Sequence, residues 1–173
     1  FFTATPKHSK TPFKIGMNDE DIFGKVLVNV PAPKLVDEGV ILPPKVKIKK
    51  IDVVDDSRFK HEHDCDHVVS TMDEIDADKI LICARSTKQI VNLVSQTDFC
   101  VELKLRGYNW MYITAKTGAV INGKKVDREC FFNTLNSWGQ DDSKRFVVIH
   151  HSILSEGINV RGLEAALFLR NMD

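Results

Sequence analysis

The chain reads as an α/β domain built on a parallel sheet, and three observations predict it. Compact apolar runs recur at Lys79 to Ala84, Trp110 to Ala115, Phe146 to Ile149 and Leu163 to Leu169. Between them lie stretches with helical spacing of apolar residues, and strands joined by helices imply a parallel sheet covered on both faces. With 173 residues, 43% of them hydrophobic, the chain can pack one such domain and a small appendage. An irregular segment is expected to precede it.

That segment holds all six prolines, none beyond Pro44. Thr11-Pro12, Pro31-Ala32-Pro33 and Pro43-Pro44 punctuate it, Lys25 to Val30 suits a short strand, and Ala32 to Glu38 a brief helix ended by Gly39. Lys45 to Lys49 alternates lysine with apolar residues, the pattern of an edge strand or of a basic strip facing a phosphate backbone. We therefore divide the chain at 1–44 and 45–173.

Farther on, Ser86-Thr87-Lys88-Gln89 has capping-box spacing and opens a helix with Ile90, Leu93 and Val94 on one side. Phe99, Leu103 and Leu105 suit a second helix closed by Gly107. Asp127 can cap a third, in which Phe131, Leu135 and Trp138 share a face, with Val126 and Phe131 as its hydrophobic staple and Gly139 near its end.

Composition excludes several classes. Lys plus Arg and Asp plus Glu both total 24, so a globally basic nucleic-acid coat is not expected, although a local basic face is compatible with the balance. No apolar run approaches the ~20 residues of a bilayer span, and Cys65, Cys83, Cys100 and Cys130 form no C-x-x-C pair. A reducing, cytoplasmic setting without membrane contact is the expectation, and Cys83 and Cys130 lack a neighbouring base that would make them nucleophiles. The opening Phe1-Phe2, with neither Met nor a basic n-region, predicts a piece of a longer polypeptide.

Three segments carry residue types suited to chemistry. Gly118 to Lys125 matches G-x-x-x-x-G-K after a predicted strand, but Lys125 stands where a magnesium-holding Ser or Thr belongs. Asn122-Gly123 is also a turn dipeptide, and a polar turn is the preferred reading over a self-contained nucleotide-binding loop. His61, His63, Cys65 and His67 lie two apart and would point the same way on an extended chain. These are zinc-ligand types, yet the spacing is tight for one tetrahedral site, and a charge-mixed loop is preferred to a metal-binding module. The last segment runs from Phe146 through His150, His151 and Ser155-Glu156-Gly157-Ile158-Asn159 into the strand at Leu163, an apolar strand followed by a polar elbow.

This last segment resembles motif V of superfamily 2 helicases, in their second RecA-like domain. Phe2-Thr3-Ala4-Thr5-Pro6 resembles the Thr-Ala-Thr-Pro form of motif III, which ends the first RecA-like domain. Lys79 to Ser86 resembles motif IV, the first strand of the second domain. The three fall in the family's order, and the resemblance covers nearly the whole chain, explaining residues 57 to 68 and 116 to 125 least.

The resemblance implies a RecA-like, three-layer domain of an ATP-dependent helicase or translocase, without ATPase activity or catalytic residues of its own. ATP and Mg²⁺ would be bound mainly by the first RecA-like domain, and the motif bearing the arginine finger would follow Asp173. Glu156, Gly157 and Asn159 would line the ATP cleft, Asn159 standing where relatives often carry Asp. Arg85, Ser86, Thr87, Lys116 and His151 would meet the nucleic-acid backbone, with DNA favoured over RNA. Thr3 and Thr5 would couple nucleotide state to strand binding. By itself the piece is expected to be monomeric.

Overall fold

The computed structural model describes residues 8–10, 15–43, 45–50, 59–151 and 160–169. The chain divides into two units, Phe1–Ile51 and Asp52–Asp173.

Among its described residues the first unit holds two short helices, α1 (Glu20–Phe23) and α2 (Ala32–Asp37). Asp19 caps α1 by accepting from the Asp21 N–H at 3.2 Å. The expected helix at Ala32 is present and ends as its glycine demands. Gly39 takes φ +70°, and the N–H groups of Gly39 and Val40 donate to Val36 and Leu35 at 3.0 and 2.8 Å. The strands expected at Lys25 to Val30 and Lys45 to Lys49 are not formed. Leu27 is 93% exposed and Ile48 89%, so among the described residues these apolar side chains meet no core and their backbone pairs with no strand.

The second unit opens with α3 (Lys60–Ile75), then β1 (Lys79–Ala84), α4 (Thr87–Ser95) and α5 (Phe99–Leu105). There follow β2 (Asn109–Thr114), β3 (Gly118–Ile121), β4 (Lys124–Val126), α6 (Arg128–Gln140), β5 (Phe146–His150) and β6 (Ala165–Leu169). Among the described residues these six strands form one mixed sheet in the order β4-β3-β2-β5-β1-β6. β2, β5, β1 and β6 run parallel, while β3 and β4 extend the sheet as an antiparallel hairpin.

β5 lies between parallel neighbours and is buried throughout. Its residues alternate between two apolar clusters, as strand geometry requires. Val147 and Ile149 join Ile80, Ile82 and the inward residues of α3, α4 and α5. Phe146 and Val148 join Met111, Ile113 and, from α6, Phe131 and Leu135. β6 alternates half-buried with exposed residues.

The helix α3 corrects the expectation of a loop or an extended run at His61 to His67. Cys65, Val68, Val69 and Met72 are buried at i, i+3, i+4 and i+7, a helical stripe that the His-rich polar residues mask. Asp76, in the left-handed region at φ +46°, ends it. α6 begins as its capping residues dictate: Asp127 accepts from the Cys130 N–H at 2.7 Å, and Val126 and Phe131 pack in one cluster. Its other end is braced by Lys79, which is 3% exposed and donates to the Gly139 carbonyl at 3.1 Å, a cation at the negative end of the helix. Among the described residues no helix is long and apolar enough to cross a membrane.

Candidate functional site

The parallel strands end on one rim of the sheet, where loops of such folds gather ligands. β1 delivers Arg85 there, exposed, and Ser86 as N-cap of α4. The Ser86 hydroxyl accepts from the Gln89 N–H at 3.1 Å, as the capping spacing predicts. The Gln89 side chain reaches one residue farther back than a capping box would. Its Oε1 accepts from the Arg85 N–H at 2.8 Å, and its Nε2 donates to Asp64 Oδ2 of α3 at 2.8 Å. This buried amide thus ties the β1–α4 loop to α3.

A cleft of about 200 Å³ opens beside that tie. Lys60, Arg85 and Lys88 line it with His61, Ser86, Asp64 and Gln89. Three fixed cations face one carboxylate, and that carboxylate already accepts from Gln89. The first-turn N–H groups of Thr87 and Lys88 precede the first intrahelical bond of α4 and add positive potential on the same side. The positive charge and backbone donors on this side suit an anion of phosphate size. A groove of about 880 Å³ bordered by α3 and α5 is opposite in sign, carrying Glu62, Asp66, Asp73, Asp98 and Glu102 against Arg106. Arg106 there clasps Asp73 at 2.7 and 2.9 Å, which holds the Asp73 carboxyl below its ordinary range.

Of the expected backbone-contacting residues, Arg85, Ser86 and Thr87 lie together at this rim. His151 follows β5, the immediate neighbour of β1, and is exposed. Lys116 lies in the turn after β2, about 10 Å along the rim at strand spacing, and does not line the cleft. Thr3, Thr5, Glu156, Gly157 and Asn159 lie outside the described residues.

Sequence reasoning missed that Lys60, His61, Asp64 and Lys88 line this cleft, weighing His61 only as a metal-ligand type. The first three share one side of α3, a spacing that becomes visible only once residues 60 to 75 are read as a helix. It also missed a base for Cys83. The register of β1 with β5 sets Cys83 opposite His150, and Sγ lies 3.2 Å from Nε2, both side chains buried.

Gly118 to Lys125 does not form a phosphate loop. β3 and β4 pair antiparallel around Asn122 and Gly123, both at positive φ, the turn that Asn-Gly favours. The next helix starts under the carboxylate of Asp127, which takes the N–H a phosphate would need. His61, His63, Cys65 and His67 are not one ligand set either. The helical period turns Cys65 into the core and His61 toward the cleft, leaving His63 beside His67. Among the described residues no group of three or more His, Cys, Asp or Glu side chains could hold a metal ion.

Compared with protein-family models, curated proteins and solved structures, the chain matches none.

Proposed function

We propose that the second unit is the second RecA-like domain of an ATP-dependent superfamily 2 helicase or translocase, and that its cationic cleft holds the backbone of a nucleic acid, with DNA favoured. The observation that carries this is the convergence of Lys60, Arg85 and Lys88 on the capped N-terminus of α4 at the carboxyl rim. The strand order supports it. β1 and β5, which carry the segments resembling motifs IV and V, are parallel neighbours, so the chain leaving His150 departs beside the Arg85 loop. Helices packed in two clusters against alternate residues of β5 suit the three-layer RecA-like arrangement.

In this role the chain supplies positioning, not bond breaking. Phosphates would bind through the guanidinium, the two ammonium groups and backbone N–H donors, so affinity would follow salt and not base sequence. The nucleotide, with its Mg²⁺, would belong mainly to the first RecA-like domain. Glu156, Gly157 and Asn159 would border it from this side.

Fluorescence anisotropy with single-stranded oligonucleotides of different sequence tests this. Three cationic contacts predict a log–log salt slope of about −2, with Arg85→Ala reducing it by ~0.7. Affinity independent of salt, or unchanged on replacing Arg85 and Lys88 together, would refute the assignment.

A further inference from the structure

We infer that His63 and His67 form a two-ligand chelate for a borderline divalent metal ion such as zinc. The two residues stand four apart on α3, where helical geometry places side chains one above the other. Their Nε2 atoms are 3.1 Å apart and the ring centroids 4.3 Å, with the rings at 75°. Zinc binds imidazole nitrogen at about 2.0–2.1 Å, so two tetrahedral ligands stand roughly 3.3 Å apart. The Nε2 separation thus needs to grow by only a few tenths of an ångström, with the rings turning so that both lone pairs meet at the ion.

In the metal-free pair one Nε2–H donates to the other Nε2. Metal binding requires a lone pair on both, which the donor ring achieves by moving its proton to Nδ1. No third ligand is grouped with them among the described residues. Cys65 is 5% exposed within the core, and His61 lines the cationic cleft, which leaves both out of the set. Two imidazoles suit zinc, nickel or copper and not the oxygen-preferring magnesium or calcium. The ion would clamp one turn of α3, the helix that also supplies Lys60 and Asp64 to the cleft.

Isothermal titration of the whole chain with zinc chloride at neutral pH decides the matter. The expected result is one zinc per chain, with His63→Ala and His67→Ala each weakening binding about a hundredfold through loss of the chelate. His61→Ala and a calcium titration serve as controls, the first binding zinc as before and the second giving no heat. Circular dichroism of each variant checks that α3 still forms, and imidazole NMR shifts identify the ligating rings directly. No saturable binding, equal binding in the His63 and His67 variants, or zinc-induced shifts confined to other histidines would overturn the site.

Discussion

Gly139 shows how one missing Cβ sets local packing. It lies in the last turn of α6, where glycine is a poor helix former, and a Cβ there would stand 2.6 Å from the Arg161 carbonyl oxygen. Gly162 reciprocates, since its Cβ would meet the Gly139 oxygen at 2.7 Å. The close approach also leaves the Gly139 carbonyl in reach of Lys79, joining α6, β1 and the lead-in to β6 at one point. Gly139→Ala should therefore destabilise the protein by about 1–3 kcal/mol, against the slight gain expected of such a change in an open helix. Urea denaturation measures it, and a stabilised variant would show that the contact relaxes freely. The sequence marks Gly139 only as a helix end. Its packing partner lies 22 positions away (Arg161 minus Gly139) and leaves no local trace.

Elements with a complete local signal were legible. α4 and α6 each announce themselves by a capping residue and an apolar face, and both begin within a residue of the expected start. Removing the cap should cost α6 its advantage. Asp127→Ala is expected to lower stability by ~1 kcal/mol, because the Cys130 N–H loses its acceptor, while Asp127→Asn should restore most of it. Equal stability of the wild type and the alanine variant in thermal melts would mean that tertiary packing alone holds that turn. α3 was illegible for the opposite reason. No side chain of its N-cap, Phe59, bonds the first turn, and its core stripe is diluted by histidines whose every-second spacing imitates a strand. Lys45 to Lys49 misled in the same way, since alternation reports a pleated strand only when a neighbour is there to pair with it. The Asn122-Gly123 dipeptide predicts its turn, whereas the two short strands around it carry no local signal of their own.

Across the second unit, two sets of ionisable groups set opposite pH limits. The Asp73 carboxyl is held below its ordinary value by Arg106, and that of Asp141 by the Ser143 side chain and backbone. A depressed carboxyl contributes stability above the unfolded value, near pH 4, and loses it as pH falls through the folded one. Burial pushes the Cys100 thiol up to about 11, and raises Cys65 and Tyr108 as well. A raised thiol contributes below its unfolded value, near 9, and loses that contribution as pH rises toward 11. Urea midpoints should thus be highest between about pH 4 and 9 and fall on either side. Asp73→Asn should flatten the acid limb and Cys100→Ala the alkaline one. A maximum outside that window would contradict these assignments.

The sheet's parallel centre was legible because apolar runs bounded by caps admit few other structures. The lining of the candidate cleft was legible only in half. Arg85, Ser86 and Thr87 follow a recognisable strand, whereas Lys60, His61 and Asp64 reach the rim through a helix the sequence disguises, and the Gln89 tie depends on that helix being in place. Whether this two-part cleft is where nucleic acid binds is best measured by hydrogen–deuterium exchange of the chain with and without a single-stranded oligonucleotide. Protection over residues 60–64 and 84–92 is the predicted result. Protection confined to the β3–β4 hairpin, or to the acidic groove around Asp66 and Asp98, would contradict it.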